Sequence, residues 1–303
     1  MTNFFAIVGP TGIGKTSLSI KLAKKLNSEI IGLDSRQIYK MIPIGTAQPS
    51  EKDLKTVKHH LIGIKDLHES ISAGEFMKLV DNKIAKILEK NKTPIICGGT
   101  GLYLKSLVDG IFIGSKTDTN IRTDIEKEYD NGNSENLYKE LISIDPEYSK
   151  KVHPNNKRRL VRALEIYKIT GKNMTENFKS ENKKSTFHSH IQTAYLRMSR
   201  KSLESIIYQR TLSMIENGMI EEVQYIKDNK YNIDHIDYIG FSEISSYLEK
   251  KMSKEDVIEK IYIRTRQYAK RQMKWFDNQS FDHVFDVDNM SVNDIVDKLV
   301  EIS

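Results

Sequence analysis

The chain has 303 residues, of which 38% are hydrophobic and 29% are charged, and its formal net charge is +6. This length and composition predict a globular protein of about two domains, and the basic balance permits a polyanionic partner without requiring one. Cys97 is the only cysteine, which excludes an internal disulfide and a cysteine-based zinc site, and no apolar run approaches the roughly 20 residues of a membrane span. We therefore expect a cytoplasmic protein without a membrane partner. The N-terminus enters a strand almost at once, so no signal peptide is expected, and we also expect a monomer.

The first predicted strand and helix enclose a phosphate-binding loop. An apolar strand from Phe4 to Val8 precedes a helix from Ser17 to Leu26, whose leucines recur with helical spacing. Between them lies an octet that fits Gly-x4-Gly-Lys-[Ser/Thr], formed by Gly9, Pro10, Thr11, Gly12, Ile13, Gly14, Lys15 and Thr16. Such a loop turns backbone N–H groups around an anion at the positive end of a helix, while Lys15 adds a charge and Thr16 can hold Mg2+. The pattern predicts a bound di- or triphosphate without saying which one.

Two further strands each end at a residue suited to chemistry. Residues Glu29 to Leu33 lead to Asp34, and residues Thr93 to Cys97 lead to a Gly-rich turn in which Thr100 opens a helix. Between these strands, Ser72-Ala-Gly-Glu75 has the spacing of a capping box and starts another helix. The alternation predicts the fold class: an α/β protein with a P-loop-type parallel sheet core flanked by helices.

Asp34 and Thr100 each allow two interpretations. Ligands of parallel sheets sit at the carboxyl ends of the strands, so we expect the phosphate loop, Asp34 and Thr100 to meet in one crevice. Asp34 would serve there as a general base or a Mg2+ ligand, although a turn or helix-cap Asp has the same sequence signature. Thr100 would cap its helix, direct its hydroxyl at a diphosphate, or do both.

The rest of the chain predicts an inserted domain and a return to the sheet. Residues 113–187 are polar and helical, with a helix start at Asp145 and a polar loop over 179–185. A strand from His188 to Arg197 rejoins the sheet, and Ser253 begins a helix that reaches Phe276. We therefore predict a first core segment over 1–112, an inserted helical domain over 113–187, and a second core segment with basic C-terminal helices over 188–303.

Positive charge is concentrated in two predicted helices. Arg158 and Arg162 lie one turn apart on one helix face, and residues 260–276 contain no acidic side chain. Within the second helix, a stripe at i, i+4 and i+8 is formed by Arg266, Lys270 and Lys274. Such a run is either a solvated face or a surface for phosphate backbones.

The segments together resemble one family, the tRNA dimethylallyltransferases (tRNA isopentenyltransferases), in order along almost the whole chain. The two most specific motifs are Asp34-Ser-Arg-Gln-Ile-Tyr-Lys40 and Thr265-Arg-Gln-Tyr-Ala-Lys-Arg-Gln272. The other matching segments are the phosphate loop, Ile44-Gly-Thr-Ala-Gln-Pro49, Gly98-Gly-Thr-Gly-Leu-Tyr103, His153-Pro-Asn-Asn156, Arg159-x-x-Arg-Ala-Leu-Glu165, Thr170-Gly-Lys172, Ile239-Gly-Phe241 and Trp275-Phe276.

The resemblance implies a reaction. The family transfers a dimethylallyl group from dimethylallyl diphosphate to N6 of the adenosine just 3′ of the anticodon. The loop from Gly9 to Thr16 would then hold this diphosphate, and Lys15 with a Mg2+ held through Thr16 would stabilise the departing pyrophosphate. Asp34 would accept the proton from N6, while Thr100 and Arg210 would contact the diphosphate near the breaking bond.

The resemblance also implies contacts with the tRNA anticodon stem-loop. The adenine would leave its stack to enter the crevice, because a stacked base cannot be reached. The residues implied for tRNA binding are Asp34, Ser35, Arg36, Gln37, Thr100, Arg122, Arg158, Arg159, Arg162, Arg266, Lys270 and Lys274.

Some positions depart from the family pattern. Ile206 and Leu212 stand where the family usually has Arg and Asp, and Asp237-Tyr-Ile-Gly-Phe-Ser242 stands for Gln-x-Ile-Gly-Tyr-Lys. Three other functions share parts of the pattern: a small-molecule phosphate-loop kinase, an RNA-binding nucleotide switch, and an enzyme that alkylates free adenine nucleotides. The pair His59-His60 is expected in a loop, and no metal site beyond the phosphate-bound Mg2+ is predicted.

Overall fold

The computed structural model describes residues 3–112, 118–180 and 182–303. The strands in these ranges are β1 (Phe4–Val8), β2 (Glu29–Leu33), β3 (His59–His60), β4 (Pro94–Gly98), β5 (Ile111–Phe112), β6 (Asn182–Lys183), β7 (Ile191–Arg197) and β8 (His283–Asp286). The α-helices are α1 (Lys15–Lys25), α2 (Glu51–Thr56), α3 (Ala73–Leu88), α4 (Gly101–Val108), α5 (Thr119–Glu128), α6 (Ser134–Ile144), α7 (Pro146–Ser149), α8 (Lys157–Thr170), α9 (Met174–Ser180), α10 (Arg200–Glu216), α11 (Met219–Asp228), α12 (Phe241–Leu248), α13 (Lys254–Phe276) and α14 (Val292–Glu301).

A parallel sheet forms the core of the first structural unit. Within the described residues its six strands lie in the order β3-β2-β4-β1-β7-β8, and every paired neighbour runs parallel. All five residues of β1 and of β2 are buried, as expected for strands covered on both faces. The predicted α/β fold class is confirmed, and the bounds of β1 and β2 agree with those read from the sequence.

The strand order brings three loops to one edge of the sheet. β4 lies between β1 and β2, with Ala6 opposite Ile96 on one side and Ile31 opposite Ile96 on the other. Because these strands are parallel, their carboxyl ends share one edge, so the loops that follow them are neighbours. The phosphate loop, Asp34 and Thr100 therefore start from adjacent positions.

Local signals in the sequence set the helix starts. The Ser72 hydroxyl accepts a hydrogen bond from the Glu75 N–H at 3.2 Å, and the Glu75 carboxylate accepts one from the Ser72 N–H at 2.8 Å. This capping box satisfies N–H groups that have no partner within the helix. The same arrangement at Ser253 begins α13, which ends at Phe276 as predicted.

Three short elements differ from the sequence-based expectation. His59 and His60 form the edge strand β3 beside β2 instead of a loop, and the His60 Nε2 lies 2.7 Å from a carboxylate oxygen of the buried Glu29. Residues His283–Asp286 form β8, and part of the loop predicted over 179–185 belongs to α9 and β6. Strands of two to four residues are set by pairing with a neighbour, because they are too short to show a periodic pattern.

The chain divides into two compact units. One comprises the residues up to Val108 together with Ser185–Ser303, and the other comprises Asp109–Lys184. The second unit has its own helical core, which includes the buried Leu137, Leu160 and Leu164. The sequence-based insertion, 113–187, begins and ends a few residues later, and its predicted first residue lies outside the described ranges.

None of the helices in the described residues is long and apolar enough to cross a membrane.

Candidate active site

The phosphate loop takes the geometry that its sequence predicts. Gly14 adopts a left-handed conformation with φ 93° immediately before α1, which a residue with a side chain would adopt only under strain. The Lys15 Nζ donates hydrogen bonds to the Gly9 carbonyl at 2.9 Å and to the Pro10 carbonyl at 2.8 Å. The ammonium is thus held by the loop itself and can exchange these carbonyls for phosphate oxygens.

Burial destabilises the charged form of Lys15. Desolvation lowers its pKa from 10.5 to about 8, although Cys97 and Asp34 raise it in part. A nearby anion would raise this pKa again, because an opposite charge favours the protonated form. The site is therefore suited to an anionic ligand, whose binding would restore the full charge of Lys15.

Asp34 serves as a turn residue and also faces the cavity. Its Oδ1 accepts hydrogen bonds from the Arg36 N–H at 2.9 Å and the Gln37 N–H at 3.3 Å. Among the described residues no hydrogen bond reaches Oδ2, so this oxygen can accept a proton. The two interpretations of Asp34 left open by the sequence are compatible, because each uses a different oxygen.

Thr100 connects two strand ends. Its carbonyl accepts the first hydrogen bonds of α4, from the Tyr103 and Leu104 N–H groups. Its hydroxyl oxygen instead accepts a hydrogen bond from the Ser35 N–H at 3.1 Å. The Thr100 hydroxyl also lies 3.5 Å from the Ser35 Oγ as a donor. The side chain therefore ties the turn after β4 to the turn after β2, next to Asp34.

Arg210 reaches the phosphate loop from α10. Its Nη1 lies 3.4 Å from the Thr11 Oγ1 as a hydrogen-bond donor. Burial lowers the pKa of Arg210 and the charge of Asp34 opposes that shift, so the guanidinium and the carboxylate interact. Ile206, one turn earlier, is 38% exposed and supplies no charge here.

Arg36 is held in place by residues that follow it far along the chain. Its guanidinium lies 4.4 Å from the centre of the Tyr268 ring, and its Nη2 lies 2.6 Å from the Asp237 Oδ2. Asp237, one of the departures from the family pattern, thus pairs with a residue implied for tRNA binding. No local pattern could predict this contact, because 201 positions separate the two residues.

Gln37 has a structural partner on its amide nitrogen. The Gln37 Nε2 donates to the Thr46 and Ala47 carbonyls at 3.3 and 2.7 Å.

The buried Glu222 binds the same segment of the chain. It accepts hydrogen bonds from the Ile44 and Gly45 N–H groups at 2.8 and 2.9 Å. Burial raises the pKa of Glu222. Sequence reasoning missed Glu222, because an acidic residue in an amphipathic helix normally predicts a solvated face.

One cavity of about 710 Å³ brings the predicted groups together. The predicted site residues that line it are Thr11, Gly12, Gly14, Lys15, Thr16, Asp34, Arg36, Gln37 and Arg210. Its apolar wall includes Ile207, Met214, Met219, Ile239 and Ile261. Ser35 and Thr100 do not line it and contribute through their hydrogen bond to each other. The cavity can thus hold an anionic group at one part and an apolar group at another.

The basic stripe on α13, formed by Arg266, Lys270 and Lys274, is only partly exposed to solvent. Lys270 and Lys274 are exposed. Arg266 is partly buried, with its guanidinium 5.5 Å from the centre of the Tyr262 ring and Nη1 3.9 Å from a Glu204 carboxylate oxygen. Two of the three predicted phosphate contacts therefore remain fully available on this helix.

The arginines of the second unit differ in their surroundings. Arg158 and Arg159 are exposed on α8. Arg122 pairs with Glu126 at 2.9 Å, and the Arg162 Nη1 lies 2.9 Å from a carboxylate oxygen of the buried Glu165. The exposed pair is available to a polyanion, whereas Arg162 offsets a buried charge.

The described residues contain no cluster of three or more His, Cys, Asp or Glu side chains that could hold a metal ion. A cation in this site would need oxygen ligands from its substrate. The Thr16 hydroxyl and the Asp34 carboxylate, which both line the cavity, are hard oxygen donors of the kind that suits Mg2+.

A parallel α/β sheet with a phosphate loop, a carboxylate and an arginine around one half-apolar cavity defines an enzyme fold for diphosphate chemistry. The comparison with known families agrees: residues 37–279 match the family model described as IPP transferase. The tRNA dimethylallyltransferase of Bacillus licheniformis is 41% identical over 275 residues, covering 90% of this chain and 87% of the relative. That of Petrotoga mobilis is 37% identical and covers 99% of both chains.

Solved structures agree as well. The full-length tRNA isopentenylpyrophosphate transferase of Bacillus halodurans has a TM-score of 0.70 and 33% identity, covering 100% of this chain and 97% of its own. A eukaryotic dimethylallyltransferase described as acting on tRNA has a TM-score of 0.81 and 30% identity. The match covers 99% of this chain and 80% of the eukaryotic chain. The chain belongs to the tRNA dimethylallyltransferase (IPP transferase) family, which confirms the resemblance read from its sequence.

Proposed function

We propose that this protein transfers a dimethylallyl group from dimethylallyl diphosphate to N6 of the adenosine 3′ of the anticodon in tRNAs and releases pyrophosphate. One observation carries the proposal: the cavity joins the phosphate loop, Asp34 and Arg210 to an apolar wall. The apolar wall suits the short allyl tail, and the phosphate loop beside it suits the diphosphate. The membership of the chain in a family of tRNA-modifying transferases supports the same substrates.

The chemical step needs a base for the nucleophile. N6 of adenine attacks the allyl carbon that is bonded to the diphosphate. The carbon–oxygen bond breaks, and its electron pair leaves with pyrophosphate. The proton released from N6 goes to the Oδ2 of Asp34, while the backbone hydrogen bonds to Oδ1 keep the carboxylate in position. General bases of this kind typically contribute about 10²–10⁴-fold to a rate.

The leaving group needs positive charge where its negative charge grows. The phosphate loop offers N–H groups, and Lys15 and Arg210 offer charges that protein atoms already desolvate. Such groups stabilise the transition state without reorganising. To donate to a diphosphate oxygen, the Thr100 hydroxyl would turn its hydrogen away from the Ser35 Oγ, while its oxygen kept the hydrogen bond from the Ser35 N–H.

Thr16 would help to hold Mg2+ at the phosphates of the substrate, because its hydroxyl is a hard oxygen donor. The bound ion would neutralise part of the charge on the departing pyrophosphate. Lys15 and Thr16 are adjacent at the start of α1, so both would act on the same phosphates.

Recognition of tRNA would use exposed cations on each unit. The first unit offers Lys270 and Lys274, and the second offers Arg158 and Arg159. Arg36, stacked on Tyr268, would contact the nucleotide that enters the cavity. We place the protein in the cytoplasm, where such a tRNA is found, and we expect a monomer.

The test is an incubation with radiolabelled dimethylallyl diphosphate, Mg2+ and either bulk tRNA or AMP, without ATP. Label should enter tRNA only, and Asp34→Asn should serve as the inactive control. Label in AMP would instead indicate an enzyme of free nucleotides. Phosphate transfer from ATP, with no prenyl transfer, would indicate a kinase.

A further inference from the structure

Gln272, on α13, connects two of the three loops that bound the cavity. Its side chain is buried, with 7% exposed. The Gln272 Oε1 accepts a hydrogen bond from the Thr11 N–H at 2.9 Å, and its Nε2 donates one to the Gly99 carbonyl at 2.9 Å. Thr11 offers a donor and Gly99 an acceptor, so only one orientation of the amide satisfies both.

The turn after β4 is shaped to admit this side chain. A Cβ at Gly99 would lie 2.7 Å from the Gln272 Nε2, and a Cβ at Gly101 would lie 2.5 Å from the Trp275 ring. Both distances are shorter than real Cβ contacts allow. A side chain at Gly101 would therefore displace the rigid Trp275 ring, and one at Gly99 would push the Gln272 amide out of its place. The helix therefore packs on the main chain on either side of Thr100.

The same helix also contacts the turn after β2. Tyr268 lies one turn before Gln272 and stacks under the Arg36 guanidinium. One face of α13 thus contacts the loops that follow β1, β2 and β4. Lys270 and Lys274 are exposed on the same helix.

We infer that Gln272 is a positioning residue for the transfer reaction, which fixes the phosphate loop relative to Thr100. The inference rests on the proposed function. The Gly9–Thr16 loop would hold the diphosphate, and Thr100 with Ser35 would set the geometry near the breaking bond. Without the amide, the two loops would keep their own hydrogen bonds but lose the Gln272 side chain that joins them. A displacement of about 1 Å between reacting groups can cost about 10²-fold in rate.

The decisive variant is Gln272→Met, which keeps the length of the side chain and removes both hydrogen bonds. Gln267→Met is the matched control, because Gln267 is an exposed glutamine on the same helix. Single-turnover transfer to tRNA should slow about 10–100-fold in Gln272→Met with its full amplitude kept. The KM for tRNA should stay within about threefold of the control, since the exposed cations are unchanged.

Two results would overturn the inference. One is a rate constant within twofold of the control; the other is a loss confined to the amplitude, which would mean that the variant only reduces the folded fraction. If Gln272→Met does not fold, Gln272→Glu keeps the size and the acceptor for Thr11 but cannot donate to Gly99, and it should show the same rate loss. Inactive wild-type protein would refute the proposed function and this inference together, whereas active wild type with an unaffected variant refutes only the inference.

Discussion

Replacing Lys15 with methionine should change how stability depends on pH in the absence of ligand. The pKa of Lys15 is about 8 in the folded protein and 10.5, its ordinary value, in the unfolded chain. Between these pH values the unfolded chain binds more protons, so this group makes the wild type more stable as the pH rises. The penalty for the desolvated charge is complete below pH 8 and absent above pH 10.5.

The size of the effect follows from the two pKa values. One pKa unit corresponds to about 1.4 kcal/mol, so the full penalty is about 3 kcal/mol. The two carbonyl hydrogen bonds of Lys15 offset part of it, and methionine would lose them. The loss of these hydrogen bonds changes the difference in unfolding free energy between the two proteins by the same amount at every pH. The advantage of Lys15→Met over wild type should therefore fall by about 3 kcal/mol between pH 7 and pH 10.5, whatever its absolute value.

Urea unfolding at several pH values, in buffer without phosphate, measures this difference. The other titrating groups are common to both proteins and cancel. Lys21→Met is the control, because Lys21 is exposed on the same helix and should show no such trend. A difference between Lys15→Met and wild type that stays constant within about 0.5 kcal/mol, or that grows with pH, would refute the argument.

Three further outcomes are expected. Asp34→Asn should retain the fold and tRNA binding but lose about 10²–10⁴-fold in single-turnover rate; a variant above a tenth of the wild-type rate would remove Asp34 as the base. Exchanging Lys270 and Lys274 for Gln should weaken tRNA binding and lower the salt slope of log K by about 1 for each lost contact, as filter binding would measure. Adding Arg266→Gln should lower the slope by less, because Arg266 is near Glu204. An unchanged slope after the exchange of Lys270 and Lys274 would mean that this helix face is only solvated and does not contact tRNA. ATP should bind weakly through its phosphates, and transfer should proceed without it; ATP turnover stimulated by tRNA would contradict the assignment of the loop to dimethylallyl diphosphate.

Much of this protein was determined by local sequence. The strands β1 and β2 are continuous apolar runs, and the capping boxes at Ser72 and Ser253 mark where helices begin, so each element could be read within a short window. The phosphate loop is also local, because glycine spacing and Lys15 act within one turn. Since parallel strands share an edge, the sequence also predicted that Asp34 and Thr100 meet at one crevice. Asp34 lines the cavity, whereas Thr100 lies beside it and bonds to Ser35.

The tertiary structure decided how those groups are held. Gln272 joins Thr11 to Gly99 across 261 and 173 positions, and Asp237 reaches Arg36 across 201. Such pairs leave no periodic signal, because their partners meet only when the sheet and α13 have packed. The edge strand β3 and the buried Glu222 were missed for the same reason: their environment comes from neighbours distant in the chain. The sequence by itself therefore determined which chemical groups the site contains, whereas packing determined their partners, their pKa values and the availability of each cation.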